Sequence, residues 1–154
     1  MSRAAPPVRG DFVRWRRIAT RWADNDAYGH VNNTVYYQWF DSAVNAMLIE
    51  EGLLDIASGD PIALVVGTSC NYFAPLSFPG DVDVGLAVVE LGRSSVRYQL
   101  GVFRADNDLA AAAGEFVHVA VNRSERRPVP WPPQWRRLFQ NSATTELEEA
   151  SPKL

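Results

Sequence analysis

Residues 21–41, RWADNDAYGHVNNTVYYQWFD, decide the fold. The first half of the stretch is polar, with Asp24, Asp26, His30, Asn32 and Asn33 around Gly29. The second half opens a long apolar run. Val35, Trp39, Phe40, Ala43, Val44, Met47 and Leu48 recur at three- and four-residue steps, the spacing of a helix that buries one face. Asn32 or Asn33 can cap its first turn, and Gly52 can end it. Tyr36 and Tyr37 widen the apolar surface, so the helix is expected to be largely enclosed.

Outward from this helix the chain reads as sheet. Upstream, residues 11–23 form a strand that runs into the polar stretch. Arg14, Arg16, Arg17 and Arg21 lie there among Trp15, Ile18 and Trp22, as exposed strand positions or as a basic patch guiding a polyanionic ligand. Downstream, residues 62–73 are β-branched and poor in charge. Val82, Val84, Leu86 and Val88 alternate with Asp83, Gly85 and Ala87; Val96, Tyr98, Leu100 and Val102 alternate with Arg97, Gln99 and Gly101. Residues 116–121 make a further strand. The links FPGD and ADND are short and turn-like, so neighbouring strands pair antiparallel. Proline-rich RRPVPWPP then breaks the sheet before a short helix over residues 134–139.

The order is strand, one long helix, four strands. This is an α+β layer with one helix on an antiparallel sheet. It leaves a sheet edge and part of a face uncovered, so pairing with another copy is expected. A single domain over residues 11–140 is expected, with a flexible segment at 1–10 and a disordered acidic tail at 141–154.

Composition removes several function classes. The chain has 154 residues, 47% of them hydrophobic, with five Trp and seven Phe, enough for one well-filled core. A net charge of −3 argues against nucleic acid as the main partner. Cys70 is the only cysteine, which excludes an internal disulfide and a multi-thiolate metal centre. No apolar leader and no run of transmembrane length is visible, so the expected setting is cytoplasmic, away from membranes. The nucleophile elbow GxSxG, the Walker loop, GxGxxG and HExxH are all missing. Cys70 with His30 or His118 is a conceivable thiol–imidazole pair, but a lone cysteine in an apolar strand reads first as a core residue, and His118 as a packed or interface one.

What remains is the opening stretch. Asp24 and Asp26 lie two apart, on one side of an extended chain. A metal site would need more convergent ligands, and no metal or cofactor is expected. The helix start offers unpaired backbone N–H groups and a partial positive charge, which can hold a carbonyl oxygen as negative charge grows on it. A carboxylate just upstream can attack that carbonyl carbon or activate a water, and Gly29 lets a ligand approach the backbone. So little equipment suits a thioester, whose leaving thiol has a pKa of about 8.5 and departs without a strong general acid.

DNDAYGHVNNTVYYQWFD, followed by NYFAPLSFPGDV, GRSS and VHVAVNRSERRPVP, resembles the hotdog-fold acyl-CoA thioesterases of the 4-hydroxybenzoyl-CoA thioesterase-like family, over about residues 12–135. The resemblance implies a hotdog: a curved antiparallel sheet wrapped around a long central helix, forming homodimers or homotetramers with sites at subunit interfaces. It implies an acyl-CoA or acyl carrier protein thioester as substrate. By the same resemblance Asp26 is the catalytic acid, as general base or nucleophile, and the backbone N–H of Asn33 is the oxyanion hole. Tyr28, Gly29, His30, Val31 and Asn32 contact substrate, Asp41 supports the site, and Arg93, Ser94 and Ser95 contact the nucleotide or pantetheine of the carrier. The chain departs from the family in having Ala27 and Tyr28 where relatives carry proline or an aliphatic residue, so acyl preference does not transfer. Two rival readings share the fold. A hydratase or dehydratase would carry Asn-Pro-x-His, which this chain lacks. A non-catalytic acyl-CoA sensor would carry a DNA-binding segment, for which ten residues before the first strand are too few.

Overall fold

The computed structural model describes residues 4–147. Five strands form one antiparallel sheet: β1 (Arg14–Ala19), β2 (Ile62–Tyr72), β3 (Asp81–Leu91), β4 (Ser95–Arg104) and β5 (Ala112–Val121). Their spatial order is β1-β3-β4-β5-β2, which leaves β1 and β2 at the edges. The helix α1 (Asn33–Glu50) packs on one face, and α2 (Pro133–Asn141) adds Trp135, Leu138 and Phe139 to the same core. The strand expected over residues 11–23 is shorter than that, because Trp22–Asp24 turns as a 3-10 helix. The terminal helix is correspondingly longer than residues 134–139; Pro133 opens it, where the missing N–H costs no hydrogen bond.

Helix α1 starts where Asn32 caps it, its side-chain oxygen accepting from Thr34 N at 3.0 Å. It ends before Gly52, which adopts φ +74. Val35, Tyr36, Trp39, Phe40, Ala43, Val44, Met47 and Leu48 are buried against the sheet, as their spacing requires. The opposite face, with Gln38, Asp41, Ser42 and Ile49, is exposed. The enclosure expected from Tyr36 and Tyr37 therefore holds on one side only within a single chain.

The inward residues of β3 and β4 meet α1, while their outward residues meet a second, smaller apolar cluster. Gly85 faces Gly101 across the β3–β4 ladder, and the hollow this leaves is filled by Phe12, which packs edge-on against Trp15 and Phe103. A Cβ at Gly85 would come within 2.8 Å of the Phe12 ring. Residues 4–10, read from sequence as loose, include Arg9, which stacks on Trp15 and Phe103 and donates to Asp83 at 3.0 Å. Pro7 O also accepts from Ala110 N. At the other end, Ser142 is fully buried, its carbonyl accepting from Val88 N; residues 148–154 of the expected tail lie outside the described residues.

Arg14, Arg16 and Arg17 of β1 and Arg21 just beyond it are not a free basic patch. Arg14 pairs with Glu51, Arg16 with Glu50, Arg17 with Asp83 and Arg21 with Asp24. The first two pairs tie the edge strand to the end of α1. The positive charge that could have guided a polyanion is engaged by acids, with Asp83 serving both Arg17 and Arg9.

Candidate active site

The loop between the 3-10 turn and α1 is built by its two aspartates, which do different work. Asp24 is 1% exposed. Its carboxylate accepts from the backbone N–H of Arg21 at 2.7 Å and from the Arg21 guanidinium at 2.8 and 3.0 Å, closing the 3-10 turn. Its carbonyl accepts from Asn32 N at 2.8 Å, which anchors the helix cap. Both ends of Asp24 are occupied by structure.

Asp26 lies on the groove side of the same loop. One carboxylate oxygen, Oδ1, accepts from Tyr28 N at 2.8 Å and His30 N at 3.3 Å. Asp26 N donates to His30 O, and Gly29 N to Asp26 O, so residues 26–30 form a tight turn. Gly29 sits at φ +81, a left-handed conformation that disfavours a side chain, although no atom would meet its Cβ. Ser77 Oγ pins the turn by donating to Gly29 O at 2.8 Å. Oδ2 of Asp26 has no hydrogen-bond partner among the described residues, and the carboxylate lines a groove of about 440 Å³.

The helix start lies on the same groove. Thr34 N is taken by Asn32 Oδ1 and Val35 N by Asn32 O. Asn33 N, the first of the helix, has no partner among the described residues. Val31 is buried and holds the loop to the core by donating from its N–H to Leu76 O at 2.8 Å. The groove is lined by Asp26, His30, Val31, Asn32 and Asn33 on one side, and by Tyr36, Tyr72, Phe73, Pro75 and Leu76 on the other. Tyr72 Oη donates to Asn33 O at 3.2 Å, joining the end of β2 to the first turn of α1.

Thus the structure brings Asp26, His30, Val31, Asn32 and Asn33 together. Tyr28 is 88% exposed and does not line the groove. Asp41 is on the exposed face of α1, where Asn45 Nδ2 donates to its side chain and carbonyl. Arg93, Ser94 and Ser95 form the β3–β4 turn, at the opposite end of β3 from the groove. Ten residue steps of strand, at about 3.3 Å each, separate them by roughly 30 Å within one chain. The groove's aromatic wall was not visible as site chemistry. Tyr36 reads as helix core, and only the NYFAPL run hinted that Tyr72 and Phe73 lie beside the loop.

The surroundings of Cys70 and His118 do not favour the alternative nucleophile. Burial pushes the Cys70 thiol up to about 11, so almost no thiolate exists near neutral pH. His118 is 1% exposed, between Tyr98 and Phe116 in the core, and burial lowers it to about 4. No cluster of three potential metal ligands occurs among the described residues. Nor is any helix among them long and apolar enough to cross a membrane.

A long helix on a five-stranded antiparallel sheet, preceded by an acid-bearing turn that faces an open helix start, defines a hotdog fold of the thioester-hydrolysing class. The chain belongs to the thioesterase-like superfamily, whose family model matches residues 20–139, and it is a thioester hydrolase. Among solved structures it is similar to the PA5185 protein of Pseudomonas aeruginosa strain PAO1, with 48% identity, 92% of this chain and 99% of that one covered, and a TM-score of 0.88. It is similar to the PA2801 protein of Pseudomonas aeruginosa at 29% identity, covering 83% and 98% of the two chains with a TM-score of 0.78. The Synechocystis protein Slr0204, a 1,4-dihydroxy-2-naphthoyl-CoA thioesterase, shares the fold at 23% identity, with coverage of 81% and 93% and a TM-score of 0.73. No curated protein sequence matches the chain.

Proposed function

We propose that the protein is an acyl-CoA thioesterase in which Asp26 is the base and Asn33 N–H the oxyanion donor. One observation carries this reading: Asp26, whose Oδ2 has no partner among the described residues, and Asn33, whose N–H has none there either, line the same groove. The thioester carbonyl oxygen accepts from Asn33 N–H, whose hold strengthens as the tetrahedral oxyanion forms. Asp26 Oδ2 removes a proton from water as that water attacks the carbonyl carbon, and the thiolate leaves. Oδ1, tethered by two backbone N–H groups, keeps the carboxylate aimed. Of the groups that could steady the water, Asp24 is withdrawn, being held by Arg21; His30 and Asn32 remain on the groove. The rival route has Asp26 attack the carbon itself and form a mixed anhydride.

The carrier is CoA or acyl carrier protein, and the setting is cytoplasmic, which suits a substrate made there and a chain with one cysteine. The protein works as a two-fold dimer or a multiple of one, joined along β2. That strand is an eleven-residue edge whose Val65 and Val66 are 46% and 63% exposed. A two-fold pairing sets the Tyr72 end of one β2 beside the Ile62 end of the other. Ile62 pairs with Val121 and Leu64 with Val119, which in turn faces Ser95. The Arg93–Ser95 turn of one copy then approaches the groove of the other.

Release of free thiol from a panel of acyl-CoAs tests the activity; a groove that binds acyl-CoA without releasing thiol would leave only a sensor. A single turnover with excess enzyme in heavy-oxygen water tests the route. Heavy oxygen recovered in Asp26 would replace the general base by the anhydride.

A further inference from the structure

We propose that Tyr36 selects the acyl group, its hydroxyl donating a hydrogen bond to a neutral oxygen on the acyl chain beyond the thioester. The inference rests on the thioesterase reading of the groove. Tyr36 follows Asn33 by three residues, so it lies on the same side of α1, about 4.5 Å further along the axis. An acyl chain whose carbonyl oxygen is held at Asn33 N–H and which runs inward along the helix meets Tyr36 next.

Three features make this tyrosine more than a wall. It is 3% exposed yet lines the groove, so what little of it is open faces the ligand space. Its ring is held edge-on between Trp39 at 5.3 Å and Tyr72 at 5.0 Å, so the direction of its hydroxyl is set. Yet that hydroxyl has no hydrogen-bond partner among the described residues, whereas the neighbouring Tyr72 donates to Asn33 O. The hydroxyl is not sealed off, so water reaches it in the free protein. A ligand that displaces this water leaves the donor unpaired unless it brings an acceptor of its own, a cost a phenylalanine would avoid. An acceptor on the ligand offsets that cost.

The groove's charge narrows the acceptor. Asp26 is the charged carboxylate on its wall, and neither Lys nor Arg lines it. A carboxylate on the acyl chain would meet repulsion from Asp26 with no cation among the lining residues beside it, while a keto or hydroxyl oxygen would not. Burial pushes the Tyr36 phenol up to about 12, which keeps it a donor throughout the neutral range. A site with a fixed donor rejects the analogue that lacks the acceptor, because the donor is then left unpaired.

The test compares matched substrates: 4-oxopentanoyl-CoA against pentanoyl-CoA, and 5-oxohexanoyl-CoA against hexanoyl-CoA, with wild type and Tyr36→Phe. Wild type should favour a keto member over its partner by at least about tenfold in kcat/KM. Tyr36→Phe, which keeps the ring and its packing, should bring that ratio close to one, mainly through KM for the keto substrate. Thiol release without keto preference in wild type, or a preference that survives Tyr36→Phe, overturns the inference and leaves the thioesterase reading standing. Thiol release from none of the four overturns the inference, and the wider acyl-CoA panel then judges the thioesterase reading.

Discussion

Asp24 and Asp26 differ by two positions and by everything that surrounds them. The sequence already ranked them, because only Asp26 has the family's distance to Gly29 and to the helix start; what it could not display was Arg21 folding back to occupy Asp24. Asp26→Asn keeps an oxygen for Tyr28 N and His30 N but removes the base, so turnover should fall about a hundredfold or more with an unchanged melting temperature. Asp24→Asn weakens a buried carboxylate held by a mostly exposed arginine. It should cost roughly 1–2 kcal/mol of stability and leave kcat within a few-fold. Steady-state kinetics beside thermal melts separate the two, and a larger kinetic loss for Asp24→Asn would reverse the assignment. His118 makes a prediction of another kind. Its folded pKa of about 4 lies below the ordinary 6.5, so between those values the unfolded chain binds a proton that the folded chain does not. Its contribution is fully present above pH 6.5 and is lost as pH falls to about 4, by roughly 3 kcal/mol. His118→Leu should flatten that part of the stability curve, measured by urea unfolding across the window.

At the scale of elements, the strand that roofs the groove depends on a close approach in its ladder. Gly114 of β5 faces Cys70 of β2, and a Cβ there would run into the carbonyl oxygen of Ser69. Gly114→Ala must therefore push β2 outward and carry Tyr72 with it. We expect a loss of roughly 2–3 kcal/mol in urea unfolding and a raised KM. Gly67, at the β2 bulge, has open space around it, and Gly67→Ala should stay within about 0.5 kcal/mol. A harmless Gly114→Ala would show that the edge strand is free to shift. These strands also mark how far the sequence could be read. The helix and its Asn32 cap follow from local pattern, as do the inward valines of β3 and β4. The outward residues Asp83, Gly85 and Ala87 look solvent-facing by alternation, yet all three are buried, because Phe12 and Arg9 arrive from a distant segment to cover them. The clue was the small residues themselves: glycines opposite one another leave a hollow, but only the fold says which ring fills it. The groove's aromatic wall escaped for the same reason, since Tyr36 and Tyr72 become neighbours only when the end of β2 meets the first turn of α1.

For the whole molecule, the distance between Asp26 and Arg93 becomes an argument about assembly. The Arg93 turn lies at the far end of β3, roughly 30 Å from the groove by strand length, so a contact at the groove itself has to come from a second copy. The unpaired edge of β2 supplies the geometry, and sedimentation should find a dimer or tetramer at assay concentration; a fully active monomer would remove the idea. If Arg93 meets a carrier phosphate, Arg93→Ala should raise KM for acyl-CoA about tenfold with little change in kcat, and should hardly affect a pantetheine thioester that lacks the nucleotide. Mixing then tests the sharing of sites. Asp26→Asn alone should be nearly inactive, and Arg93→Ala alone should bind its carrier poorly. In a mixed dimer whose sites are built across the interface, one site carries both defects and the other carries neither. A low-KM activity absent from both parents should therefore appear on co-refolding, at about a quarter of the wild-type kcat per chain for random assortment at equal amounts. If each site were built within one chain, no mixed dimer would hold an intact site. Low-KM activity would then fail to appear at any mixing ratio, and Arg93 would lose its place in carrier binding.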